Sequence, residues 1–132
     1  MVRSQFSVLR TAADTLGSLY LDIWTPGNAT AGSNLPVKVW IYGGGNDAGS
    51  ISDPLYNGCN LATDSVVVSI AYRVGALGFL SLETAGIGGN FAVQDILLGL
   101  EWVQNNIAVF GGDPVCLLVS PAERSPRTKF YL

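Results

Sequence analysis

Residues 37–45 read Val-Lys-Val-Trp-Ile-Tyr-Gly-Gly-Gly, and residues 66–72 read Val-Val-Val-Ser-Ile-Ala-Tyr. The second run is apolar and β-branched almost without a break, which suits a central parallel strand covered on both faces better than a strand with one wet side. The first run stops in three consecutive glycines. Such a turn sets several unhindered backbone N–H groups at the carboxyl edge of a sheet, where open α/β folds hold their ligands. Together the two runs predict an α/β fold built on a mostly parallel sheet.

Outward from this pair, Leu19 to Thr25 (LYLDIWT) alternates in β-branched and aromatic types and reads as a half-buried strand. Pro26 to Asn34 (PGNATAGSN) concentrates turn formers and is expected to be a surface connection. Within it, Asn28-Ala29-Thr30 is an N-glycosylation sequon, which makes Asn28 a candidate acceptor if the protein is secreted. Asn46 to Asp64 shows little periodicity and reads as irregular loop. Asn90 is placed to cap a helix from Phe91 to about Val109, with Val93, Ile96, Leu97, Leu100, Val103 and Ile107 spaced by three and four. This helix is expected to flank the sheet. Its polar flank would hold Gln94, Asp95, Glu101, Gln104 and Asn105. Gly111-Gly112 stops the helix and Asp113-Pro114 forbids its continuation. Cys116 to Val119 offers one further short strand, and Ser120 to Lys129 then turns abruptly to proline and charge. The chain thus divides into one partial domain, residues 1–114, and a divergent tail, residues 115–132, expected to be disordered.

Composition narrows the functions. The chain has 132 residues, enough for one domain. Charged residues make up only 13%, against about 25% in an ordinary soluble domain, so some faces are expected to need a partner or the rest of a larger fold. Seven basic and ten acidic residues give a net charge of −3 with the basic residues scattered singly, so nucleic acid is not an expected partner. No apolar run reaches the ~18 to 20 residues that span a bilayer, and Met1 to Leu16 shows no signal-peptide core. Histidine is absent from all 132 residues. That excludes a Ser-His-Asp or Cys-His unit within one copy of the chain, and with it His-containing zinc sites. Two cysteines, Cys59 and Cys116, make neither a metal cluster nor a disulfide framework. Neither a metal nor a cofactor is expected.

Two chemistries use a glycine turn of this kind. Gly43-Gly44-Gly45-Asn46-Asp47-Ala48 satisfies the G-x-G-x-x-A dinucleotide fingerprint, but Gly49 to Pro54 lacks the helical periodicity that must follow it, and Asp64 precedes the next strand instead of following it. The second chemistry is an oxyanion hole, in which backbone amides donate to the negative oxygen of a tetrahedral intermediate and a Cβ would block the acyl group. Glycines that only make a tight turn are the plain alternative.

Leu19 to Pro26 (LYLDIWTP), Leu35 to Gly45 (LPVKVWIYGGG), Ala71 to Leu80 (AYRVGALGFL) and Gly89 to Pro114 (GNFAVQDILLGLEWVQNNIAVFGGDP) resemble, in order, blocks of the type B carboxylesterases, the cholinesterase-like α/β-hydrolases. The resemblance covers about residues 17 to 114 and corresponds to a slice from the N-terminal part of much longer family members. It implies a partial α/β-hydrolase fold and, in the parent protein, hydrolysis of a carboxylic ester substrate through a serine nucleophile and an acyl-enzyme. It also implies that Gly44 and Gly45 are oxyanion donors. Separately, Arg73 and Asp95 are candidate partners in a structural ion pair inside a complete fold. Tyr42 stands where many esterases have histidine and cholinesterase-like members have tyrosine.

The departures carry equal weight. Asn46 replaces a usual aromatic residue, and Ser18 stands at a common disulfide cysteine, which leaves Cys59 without an inherited partner. The G-E-S-A-G nucleophile elbow expected after Gly-Gly-Asp-Pro does not occur in Val115 to Leu132. The codons of Leu118 to Arg124, read from their third bases, permit Gly-x-Ser-x-Gly-Ala, so a truncation by frameshift, a mis-spliced transcript or a faulty gene model is the expected origin of the tail, with a coincidence of degenerate codons as the alternative. The chain is therefore expected to be a catalytically inactive esterase fragment, prone to self-association. A noncatalytic cholinesterase-like interaction module is the alternative.

Overall fold

The computed structural model describes residues 2–7, 19–121 and 130–131. Its framework is β4, Val66–Ile70, in which every residue is buried. β3, Leu35–Ile41, lies parallel to it, with Val37 opposite Val66 and Trp40 opposite Ser69. β5, Gly112–Pro121, runs parallel on the other side of β3. These three strands form a parallel centre, as the apolar runs predict. Antiparallel strands flank it: β2, Tyr20–Thr25, pairs with β4, and β1, Val2–Ser7, pairs with β2. β6, Phe130–Tyr131, pairs with β5, giving one sheet in the order β1-β2-β4-β3-β5-β6.

Strand alternation divides the core. Leu21, Ile23, Val37, Val39, Val66, Val68 and Ile70 point to one face and bury there with Val103 and Ile107. Each side chain so buried contributes roughly 1.5–3 kcal/mol. The cover on this face is α2, Phe91–Asn106, extended by a 3₁₀ turn at Ile107–Phe110. α2 sits close to the sheet because Gly99 faces Ile70, where a Cβ would lie 2.7 Å from an Ile70 methyl. On the opposite face, Trp24 and Val67 pack with Ala62 and Cys59 from the 46–64 segment. That segment is irregular apart from 3₁₀ turns at Pro54–Tyr56 and Gly58–Asn60. A short helix, α1, Gly75–Phe79, follows β4.

Three sequence expectations need correction. Asn90 precedes α2 in the left-handed region (φ 57°), and its side chain makes no cap hydrogen bond; its carbonyl instead accepts from Gln94 N–H at 3.4 Å. The helix is also rotated from the anticipated face. Its buried stripe is Ala92, Asp95, Gly99 and Val103, whereas Leu97 is 60% exposed, so Asp95 does not belong to a polar flank. The third correction concerns β5, which is longer than Cys116–Val119 and takes in residues 115–121 of the stretch read as a tail. Residues 122–129, the Met1–Leu16 region beyond β1, and Ser18 lie outside the described residues.

β5 also carries a bulge. Leu35 faces Gly112 and Val37 faces Leu117, so two steps on β3 correspond to five on β5. Asp113 and Pro114 fall in this bulge, where proline's missing N–H removes no ladder bond. There the Asp113 carboxylate accepts from Val115 N–H at 2.9 Å. Among the described residues, no helix is long and apolar enough to cross a membrane.

Candidate functional site

Beyond the end of β3 the chain turns sharply through Gly44, Gly45 and Asn46, with φ of 147°, 64° and 65°. Glycine at 44 is dictated twice over. Its φ is one that L side chains rarely adopt, and a Cβ would lie 1.8 Å from the Ala48 carbonyl oxygen. The turn closes on itself when Asp47 and Ala48 N–H donate to the Gly44 carbonyl at 3.2 and 3.3 Å. Gly75 N–H, at the start of α1, donates to the Asn46 carbonyl at 2.7 Å and ties the turn to the element after β4. The N–H groups of Gly44 and Gly45 take no hydrogen-bond partner among the described residues. Both glycines line a cavity of about 410 Å³ whose other walls include Ile41, Tyr72, Phe79, Ala92, Val93 and Ile96. Among the described residues, backbone donors without a partner therefore border an apolar hollow.

Tyr42 and Tyr72 stack at this edge, with ring centroids 4.3 Å apart and planes 20° from parallel. The Tyr42 hydroxyl donates to the Tyr72 carbonyl at 2.6 Å, and the Tyr72 hydroxyl donates to the Tyr42 carbonyl at 2.5 Å. Burial pushes both phenols above the ordinary value near 10. The sign of the linkage follows. A group whose folded pKa lies above its unfolded one contributes stability that is complete below about pH 10 and is lost as pH rises through the folded value. A near-ultraviolet absorbance titration is expected to show phenol ionisation by Tyr42 and Tyr72 extending above the ordinary value, with thermal stability falling over that same alkaline window. Phenol ionisation that is complete at the ordinary value would contradict the packing.

The third component is an ion pair below the turn. Asp95, 5% exposed, accepts from Arg73 Nε and Nη2 at 2.7 Å each and from the Arg73 backbone N–H at 3.0 Å. The Arg73 guanidinium lies 5.1 Å from the centre of the Phe91 ring. This is the pairing of Arg73 with Asp95 that the sequence suggests. α2 is thereby fastened to the chain just after Tyr72.

Of the residues singled out from sequence, Gly44 and Gly45 line the cavity. Asn28 lies exposed in a turn closed by Ala29 N–H donating to the Pro26 carbonyl at 3.1 Å, in the connection that enters β3 rather than the one that leaves it. Cys59 is partly buried and Cys116 exposed, both as free thiols. Tyr72 was not singled out. The available signal was that the two central apolar runs both finish in tyrosine.

A parallel centre with antiparallel flanks, a covering helix and a glycine turn at the carboxyl end of a central strand make this a partial α/β-hydrolase fold. The sequence model of the carboxylesterase family matches residues 8–120, and the chain belongs to that family. It is 48% identical over 105 residues to the bile salt-activated lipase of Mus musculus, covering 73% of this chain and 18% of that protein. It is 46% identical over 112 residues to the fumonisin B1 esterase of Sphingopyxis macrogoltabida, covering 80% of this chain and 21% of that protein. Among solved structures, a thermophilic PNB esterase superposes with a TM-score of 0.73 at 38% identity, covering 80% of this chain and 22% of that one. The chain thus spans about a fifth of the length of these relatives.

Proposed function

We propose that this chain carries the oxyanion-stabilising part of a carboxylic-ester hydrolase, with the backbone N–H groups of Gly44 and Gly45 as donors, and that alone it is catalytically inactive. The observation that carries the reading is the pair of glycine amides that take no hydrogen-bond partner among the described residues and border an apolar cavity at the carboxyl end of β3. In ester hydrolysis the substrate carbonyl oxygen gains charge as the tetrahedral intermediate forms, and preorganised amides stabilise that charge without reorganising. The acyl chain needs an apolar wall beside those donors, which Phe79, Val93 and Ile96 supply. The relatives named as lipase and esterases support the substrate class.

Stabilisation of an oxyanion is not sufficient for turnover. Attack at neutral pH requires a nucleophile with an adjacent base, and these 132 residues contain neither histidine nor a G-x-S-x-G elbow. Purified chain is expected to hydrolyse p-nitrophenyl acetate no faster than a protein blank, and saturable turnover with a burst would overturn the inactivity. Butyrate, which offers an anionic oxygen on a short apolar tail, tests the donors. Its titration is expected to shift the amide resonances of Gly44 and Gly45 more than those of distant residues. Unmoved glycine amides at saturating butyrate would sink the oxyanion assignment.

A further inference from the structure

The ladder between β3 and β4 ends at Trp40 and Ser69, yet the two chains stay joined beyond it. Their junction is the reciprocal pair of hydroxyl-to-carbonyl hydrogen bonds between Tyr42 and Tyr72. Side chains here replace the main-chain bonds that the diverging strands can no longer make.

The carbonyls involved belong to particular peptide planes. The Tyr42 carbonyl shares its plane with the Gly43 N–H, and the Tyr72 carbonyl shares its plane with the Arg73 N–H, because a peptide unit is rigid. The second plane is held at both ends: its oxygen accepts from the Tyr42 hydroxyl, and its N–H donates to buried Asp95. The first plane is held by the Tyr72 hydroxyl and leads straight into the glycine turn. Between that plane and the one bearing the Gly44 N–H only the φ and ψ of Gly43 remain soft. The far end of the turn rests on the same ring, since a Cβ on Gly49 would lie 2.4 Å from the Tyr42 ring.

We propose that Tyr42 and Tyr72 are positioning residues, a reciprocal clasp that sets the peptide plane from which the Gly44 amide is aimed and so couples the turn, through Arg73 and Asp95, to α2. This rests on the reading of Gly44 as an oxyanion donor. Rings that served only as packing would do the same work as phenylalanine. The clasp needs the hydroxyls.

Tyr42→Phe and Tyr72→Phe each keep the ring and remove one donor. Hydrogen exchange in the absence of any ligand is read at Asp47, Ala48 and Gly75, whose N–H groups bond to carbonyls of the turn. Loss of one hydrogen bond is expected to speed exchange about tenfold at these three amides, while α2 and β4 amides stay unchanged and the butyrate shift at Gly44 shrinks. Uniform acceleration across α2 and β4, or no acceleration in the turn, would overturn the clasp. If either variant does not fold, the unmodified chain decides: the Tyr42 and Tyr72 hydroxyl protons are expected as slowly exchanging resonances with cross-peaks to the partner tyrosine, and hydroxyls averaged with water would overturn the proposal. Exchange at the turn is measured without butyrate. A clasp that holds while Gly44 and Gly45 ignore butyrate would therefore refute the oxyanion reading and leave the clasp intact.

Discussion

The 132-residue chain is expected to sediment as dimers and larger assemblies, with the assembled fraction rising with concentration. The cause is the exposed apolar side chains of α1 and α2, where Leu77 is 70% and Leu97 60% exposed and Phe79 and Val93 are partly exposed. Monomeric domains rarely show contiguous apolar patches beyond a few hundred Å². At about 25 cal/mol per Å², covering such a patch contributes on the order of 5 to 10 kcal/mol, comparable to a whole domain's stability of roughly 5–15 kcal/mol. With 13% charged residues the chain has little surface charge to oppose association. Leu77→Lys with Leu97→Lys is expected to shift the distribution toward monomer. A wild-type chain that stays monomeric across all accessible concentrations would show that the helix surface is not adhesive.

Replacing Asp95 by alanine is expected to cause a large loss of stability. The substitution removes three hydrogen bonds and leaves the Arg73 guanidinium without its bidentate partner. Removing one member of a buried pair costs about 3–5 kcal/mol, and because Arg73 is 30% exposed the lower end applies. For a chain of this size that corresponds to a fall in the thermal midpoint on the order of 10 °C. Circular dichroism of both proteins in the same oligomeric state reads it. Arg73→Lys keeps the charge but not the planar fork, and is expected to fall between the two. A midpoint within a degree or two of wild type would show that the pair is replaceable by solvent.

Where the sequence was legible, periodicity and packing said the same thing. Val66–Ile70 is buried on both faces and could be read as a central strand without a partner in view. The glycine turn was legible for a similar reason, since consecutive glycines at a strand end admit few structural explanations. α2 was located but rotated wrongly. Hydrophobicity alone assigns Val93 and Leu97 inward and Asp95 outward, whereas Asp95 turns in because Arg73 awaits it, a contact between residues 22 apart. α1 was missed because two of its five residues, Gly75 and Gly78, are poor helix formers. The tyrosine clasp was hidden because it depends on the register that sets β3 beside β4. No local pattern encodes that register.

The bulge in β5 gives the sheet a place to absorb changes in chain length. Because Gly112 is paired before it and Leu117 after it, residues can be gained or lost between those anchors without sliding the strand along β3. Slack between two fixed anchors lets a shortened crossing keep the downstream register, so that Val119 would still meet Val39. The same slack makes residues 113–116 a suitable site for grafting a short peptide: Val115 is already 84% exposed, and the cavity lies beyond the far end of the strands.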